Sequence, residues 1–212
     1  MAFTANTAFE IKVSNHEFDS TANITGEFGS WASDTLFEAA DCSAGWLCVK
    51  SKLTQNEGYP SGTMNGNTWR MVVANTVQNP VTLSTPVYAC NPHNVQEIVA
   101  PDGNVYKIGA NTLGIGIPSG ERDTFTRIDF LSGDRHYRFG VGNLTTALST
   151  NKYLTLGTST NAGKLVPAAS APTDNGAVYF EVLGTGTFTQ GAYAGFGYVD
   201  VEAHAVIVAP AG

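Results

Sequence analysis

The run Thr112-Leu113-Gly114-Ile115-Gly116-Ile117-Pro118-Ser119-Gly120-Glu121-Arg122-Asp123-Thr124-Phe125-Thr126-Arg127-Ile128-Asp129-Phe130 carries the signals from which the fold is read. At its start Leu113, Ile115 and Ile117 alternate with glycines. At its end Phe125 and Arg127 fall opposite Thr126 and Ile128. A period of two is that of a half-buried strand. Pro118-Ser119-Gly120-Glu121 turns the chain between them. Working outward, Ala100-Pro101-Asp102-Gly103-Asn104 is a turn in which Pro presets φ and Asp-Gly supplies the positive-φ position. Val105-Tyr106-Lys107-Ile108-Gly109 follows as strand. Beyond Ser132-Gly133-Asp134, the strand His136-Tyr137-Arg138-Phe139-Gly140-Val141 returns. Turn signals every 8–12 residues predict an antiparallel meander in a barrel or sandwich.

The same reading extends to both ends. Phe9–Val13, Ala22–Phe28, Trp46–Lys50, Trp69–Ala74, Lys152–Leu156, Ala177–Leu183 and Tyr198–Val208 all read as strands. The segment 56–67 is dense in Gly, Pro and Asn and reads as a long loop, as does the small, polar segment 158–175. Glycines at 184–186 and 191–197 suit bulges or close backbone approach. Helix signals are confined to Ser33–Ala40 and a turn at Asn91-Pro92-His93-Asn94. The expected fold is therefore all-β and mainly antiparallel. It is a β-sandwich or barrel-like meander with long loops, an extended N-terminal arm over 1–15 and at most one or two short helices. Residues 16–212 form one β-rich domain, with a soft boundary near 90.

Composition narrows the function. The chain has 212 residues, 42% hydrophobic but only 14% charged, with 23 glycines. Soluble domains ordinarily carry about 25% charged residues. Mean hydropathy is nevertheless −0.05, so small polar residues have replaced the charge. No apolar run approaches the roughly 20 residues of a membrane helix, and the start MAFTANTAFEIKV lacks the pattern of a secretory signal. Net charge is −7, and residues 1–60 hold eight acids against three lysines. With no basic patch, neither nucleic acid nor an acidic membrane is an expected partner. Cys42, Cys48 and Cys90 make an odd count, expected as reduced thiols. A local Cys42–Cys48 bridge is one arrangement; three buried thiols acting as small hydrophobes is the favoured one.

Chemistry-bearing motifs are sparse. His16, His93, His136 and His204 form no HxH, HExxH or i,i+4 pair, so neither a metal nor a general base is expected of them. Asp200 and Glu202 share a strand face. Paired carboxylates can divide acid and base roles, but a solvated face opposite Val199, Val201 and Ala203 is the preferred reading. Glu121-Arg122-Asp123 and Asp134-Arg135, with Arg127 and Arg138, make a mixed-sign patch suited to ion pairs or a polar interface. Gly114–Gly120 lacks the Lys-Ser/Thr of a phosphate loop and runs into a strand. Trp31, Trp46, Tyr59, Trp69, Tyr193, Phe196 and Tyr198 lie near turns and strand ends. They are read first as core or subunit contacts and second as a sugar-stacking platform. No catalytic residue, cofactor or metal is assigned, and the protein is expected not to be an enzyme.

Several stretches together resemble a known family: the Ala2-Phe3-Thr4-Ala5-Asn6-Thr7 leader into a strand, the Gly-Trp-Leu-Cys-Val strand at 45–49, and Tyr106-Lys107-Ile108-Gly109 followed by Thr112–Gly120. A Gly-rich hairpin and a Val-rich closing strand complete the set. The pattern is similar to the head decoration, or capsid-stabilising, proteins of tailed bacteriophages. That resemblance implies a β-rich, non-enzymatic virion protein on the capsid surface, made in the host bacterial cytoplasm. It implies the major capsid protein as partner and self-association, with a homotrimer favoured. The chain is longer than the smallest trimeric decorators. Exposed hydroxyl and backbone groups can supply the many weak contacts such docking needs. Phe3, Thr4, Asn6, Thr7, Phe9, Tyr59 and Met64, in the arm and the 56–67 loop, are the expected capsid or subunit contacts. A carbohydrate-binding or host-recognition module of a head fibre or tail is the alternative.

Overall fold

A computed structural model describes residues 7–13, 26–31, 42–52, 69–77, 80–91, 96–99, 105–108, 116–117, 122–132, 135–189 and 194–208. Across these the regular structure is strand, interrupted by two 3-10 turns at Val141–Asn143 and Ser159–Asn161. The protein is all-β and mainly antiparallel. The helix signals at 33–40 and 92–94 lie outside the described residues.

Two β bodies account for most of the described chain. The first is a six-stranded antiparallel sheet. Its order is β1 (Phe9–Val13), β11 (Arg135–Gly140), β15 (Gly197–Ala205), β14 (Val178–Thr187), β12 (Tyr153–Leu156) and β13 (Leu165–Ala168). The second is a closed five-stranded barrel of β10 (Arg122–Arg127), β2 (Gly26–Trp31), β5 (Trp69–Val73), β4 (Leu47–Lys52) and β6 (Val87–Cys90). Its β2–β5 pair is parallel. Closure leaves the barrel without an edge strand to recruit a stray chain. Two small ladders complete the set: β3 (Cys42–Ser43) with β9 (Gly116–Ile117), and β7 (Gln96–Val99) with β8 (Val105–Ile108).

Barrel and sheet share a core, and the sequence of the barrel strands shows why. Leu47 and Val49 of β4, Val72 of β5, and Val87 and Ala89 of β6 join Phe9, Tyr137, Phe139, Leu154, Phe180, Val199 and Val201 of the sheet in one buried cluster. Their alternate neighbours Cys48, Met71, Tyr88 and Cys90 pack with Cys42 and Phe125 in a second cluster inside the barrel. Successive strand residues point to opposite faces. A strand covered on both faces therefore needs a continuous apolar run, which Leu47-Cys48-Val49 and Val87-Tyr88-Ala89-Cys90 supply. Rings fill the centre of the shared core: Phe180 lies 5.3 Å from Phe130 and 5.7 Å from Phe139 between centroids.

Three cysteines converge in the barrel as free, buried thiols. Cys42 Sγ stands 3.9 Å from Cys48 Sγ, and the Cys90 thiol donates to the Cys42 carbonyl at 3.4 Å. Burial, followed by the neighbouring thiols, pushes the Cys42 pKa well above its ordinary value. A thiol held protonated is a poor nucleophile, so Cys42 acts as core, and Cys48 and Cys90 are buried in the same cluster.

The structure departs from the sequence reading in three places. The 158–175 segment, expected as an exposed loop, contains the 3-10 turn at 159–161 and β13, whose Leu165 is fully buried. The expected meander through 98–142 is broken. β7 and β8 form their hairpin, but β10 enters the barrel while β11 pairs with β1 and β15 in the other sheet. The described part of the N-terminal arm is likewise no arm. Phe9–Val13 is a sheet strand in register with β11, Phe9 facing Phe139 and Val13 facing Arg135.

Candidate functional site

Burial of one face of the six-stranded sheet forces the alternate residues outward. Phe9, Tyr137, Phe139, Val199, Val201, Ala203, Phe180 and Leu154 point into the core. Glu10, His136, Arg138, Tyr198, Asp200, Glu202, His204, Tyr179, Glu181 and Tyr153 therefore occupy the opposite face. Strand register aligns them in rows. Glu10 stands beside Arg138, and Arg138 beside Asp200. The next row runs Lys12, His136, Glu202, Glu181 and Tyr153 across five strands. In the row after that, His204 stands beside Tyr179, and Tyr179 beside Thr155.

Arg138 organises the first row. Its Nε and Nη2 donate to the two Asp200 oxygens at 2.7 and 3.0 Å, and its Nη1 donates to Glu10 Oε2 at 3.3 Å. The guanidinium lies 3.8 Å from the centre of the Tyr198 ring, which itself packs edge-on to Phe188 at 4.9 Å. Burial opposes the guanidinium charge, but the Asp200 hydrogen bonds and the fields of Asp200, Tyr198 and Glu10 raise its pKa above the ordinary value. A bidentate fork on a carboxylate fixes both side chains in orientation as well as charge.

The second and third rows hold imidazoles and carboxylates in mutual reach. His204 Nε2 lies 3.7 Å from Glu181 Oε2 and 3.8 Å from Glu202 Oε1, while His136 Nε2 lies 4.0 Å from Glu202 Oε2. The Tyr179 ring stacks on His204 at 5.4 Å and meets Tyr153 edge-on at 6.0 Å. Burial, then Glu181 and Tyr153, raises the Tyr179 pKa, so its hydroxyl stays protonated.

A separate cleft of about 210 Å³ is lined by residues including Leu83, Thr85, Arg127, Asp129, Phe130 and Arg135. The backbone of its Asp129 is held by the buried Tyr137, whose hydroxyl accepts the Asp129 N–H at 2.8 Å. Asp129 Oδ1 in turn accepts the Leu131 and Ser132 N–H groups at 3.0 and 3.2 Å. The mixed-sign patch thus divides. Arg138 serves the sheet face, whereas Arg127 and Arg135 serve the cleft.

Among the expected contact residues, Phe3, Thr4, Asn6, Tyr59 and Met64 lie outside the described residues. Thr7 and Phe9 are corrected. They are 1% and 3% exposed, buried within this chain: β1 carries Phe9 against Phe139 of β11, and Thr7 is buried just before that strand. The neighbouring Ala8 carbonyl accepts Gly140 N–H at 2.8 Å and Asn143 Nδ2 at 3.2 Å, anchoring the strand further. Asp200 and Glu202 do share an outward face opposite Val199, Val201 and Ala203. His136 and His204 were read one at a time; the structure brings both to Glu202. Their outward alternation was visible in sequence, but the β11–β15 register that joins them was not. Of the candidate sugar-stacking aromatics, Tyr198 is on this face, Phe196 is 37% exposed and Trp46 packs against the barrel core. The rings that do gather, Tyr153 and Tyr179, were not singled out. No protein-family model, curated protein or solved structure matches this chain.

Proposed function

We propose that the protein is a non-enzymatic virion structural protein. In this reading it decorates and stabilises the outer surface of a phage capsid, bound to the major capsid protein and self-associated as a homotrimer. One observation carries the reading: the outward sheet face is broad, with its side chains already fixed by ion pairs and ring contacts across neighbouring strands. A preordered surface loses little side-chain entropy on docking, which favours binding through area over binding in a pocket. The net charge of −7 is in keeping with a partner other than nucleic acid. Purified protein is expected to co-sediment with emptied phage heads, and Tyr153→Ala with Tyr179→Ala is expected to weaken that binding. Failure of the unaltered protein to sediment with heads overturns the reading; retention by the double variant moves the contact off this face.

A second reading has its own observation. Tyr153, Tyr179 and His204 form a contiguous ring cluster beside Glu181, the composition of a sugar-stacking surface. Saturable binding on a glycan array, lost in Tyr179→Ala, would favour a carbohydrate-binding module of a head fibre or tail.

A further inference from the structure

The cleft beside Asp129 has two walls, each fixed by its own hydrogen bonds. One is the turn at 82–85, where the Thr85 N–H donates to the Thr82 carbonyl at 2.9 Å and the Thr82 N–H donates to Thr85 Oγ1 at 3.1 Å. The other is the bend at 129–132, closed by the Leu131 and Ser132 N–H groups on Asp129 Oδ1. Behind them the Ile128 N–H donates to the Val87 carbonyl at 2.9 Å and ties the two segments together. Walls held in this way lose little freedom when a ligand enters between them. Their lining joins two chemistries: Leu83, Phe130 and Leu131 are apolar, whereas Arg127, Asp129 and Arg135 are charged. Two guanidiniums against one carboxylate make the lining positive in a chain of net charge −7. The Asp129 carboxylate is itself occupied by two backbone N–H groups and lies in the field of Arg135. Leu83 and Leu131 are large apolar side chains exposed at the rim. Exposed apolar surface continues past Leu83. A Cβ on Gly176 would meet it at 3.7 Å, the Gly176 N–H donates to the Val206 carbonyl, and the exposed Ile207 and Val208 follow.

We infer that this cleft binds a carboxylate carried on a short apolar group, the chemistry of a peptide's C-terminal residue with a leucine-sized side chain, or of a free acid of that shape. Arg127 and Arg135 supply the fork donors that carboxylates pair with best, and Leu83, Phe130 and Leu131 cover the apolar group. The volume of about 210 Å³ is below the roughly 300–1,000 Å³ of ordinary ligand pockets, so it suits one residue-sized group. An Asp or Glu within an extended segment fits poorly, because its apolar neighbours point to the opposite side. At a terminal residue the carboxylate and the side chain spring from one carbon and enter together. Arg135 shares its face of β11 with the buried Tyr137, opposite His136 and Arg138. The site therefore stands whether or not the outward sheet face binds capsids.

Titration of the 15N-labelled full chain by nuclear magnetic resonance tests it, with the Leu131 and Ser132 amides as reporters. The probes are N-acetylleucine, acetyl-Gly-Gly-Leu, the C-terminal amide of each, and acetate. Saturable shifts at both amides are expected with the two leucine carboxylates. The amides and acetate should bind at least about tenfold more weakly, having lost the charge or the apolar group. Tighter binding of the tripeptide than of N-acetylleucine identifies a peptide end as the ligand, and equal binding identifies the free acid. Arg127→Ala should weaken binding roughly fivefold or more with the rest of the spectrum unchanged. Leu131→Ser, which keeps the backbone N–H, should remove the preference for N-acetylleucine over acetate. Absence of saturable shifts overturns the inference. So does equal binding of carboxylate and amide, or binding that survives both substitutions.

Discussion

Replacing Arg138 by alanine removes the most connected side chain of the sheet face. Three charge-assisted hydrogen bonds and a contact with the Tyr198 ring are lost, and Glu10 and Asp200, 19% and 20% exposed with Arg138 in place, lose its charge. Fully buried, each bond to a charged partner contributes about 1.5–3 kcal/mol; a fully exposed pair contributes about 0.2–1 kcal/mol. Arg138 is 17% exposed, between these limits but nearer the first. The ring contact adds about 0.5–1 kcal/mol. Because the bonds share one guanidinium they do not add in full, and the net expectation is a loss of about 2–3 kcal/mol. For a chain of this size that is roughly 4–12 °C in melting temperature. Urea unfolding of Arg138→Ala, Asp200→Ala and the double variant measures it, with a coupling energy of about 1–2 kcal/mol expected between the two. Arg138→Lys should recover only part, since an ammonium cannot reproduce the fork. A loss under about 0.5 kcal/mol, with no coupling, would show that the row is a solvated surface pair and that the face is not preordered.

Other outcomes follow from particular contacts. Phe180→Ala empties the centre of the shared core and should cost about 3–5 kcal/mol, read in the same unfolding assay. Gly45 has φ +81°, and a Cβ there would sit 2.6 Å from Asn143 Nδ2; Gly45→Ala should cost at least about 1–2 kcal/mol. Burial raises the Asp129 pKa, but hydrogen bonds from Leu131 and Ser132, with the Arg135 charge, outweigh it and leave the pKa below its ordinary value. A depressed carboxyl stabilises the fold above its unfolded pKa of about 3.9 and loses that contribution as pH falls through the folded value. Asp129→Asn should accordingly flatten the acid limb of stability against pH. The three thiols should resist Ellman's reagent in the native protein and react together on unfolding, as buried cysteines do; fast native labelling of Cys42 would contradict their core placement.

What was legible in the sequence was local. Alternation at Phe9–Val13, 152–156 and 198–205, together with apolar runs such as 47–49, marked the strands, because backbone pleating makes side-chain facing a property of neighbours. The bulge at Val182/Gly184 was foreshadowed by its glycine. The strand Leu165–Ala168 was missed because Lys164-Leu165-Val166-Pro167-Ala168 sits among small polar residues, and a Pro argues against a central strand. In the structure β13 is an edge strand, where a Pro is tolerated. Within the arm expected over 1–15, alternation marked Phe9–Val13 as a strand, but a short alternating run cannot say which sheet will accept it.

Composition and periodicity by themselves determined the all-β class, the net negative charge and which residues of each strand share a side; that the three cysteines are free and meet inside the barrel came from the structure. Only the tertiary structure decided how the strands divide between a barrel and a sheet, that β4–β6 are covered twice, and that Arg138 meets Asp200 while His204 meets Glu181 and Glu202. The reason is the range of the interactions. Facing along one strand is fixed within two residues. Register between β11 and β15 joins positions about sixty residues apart, and it is set by the whole core they close over.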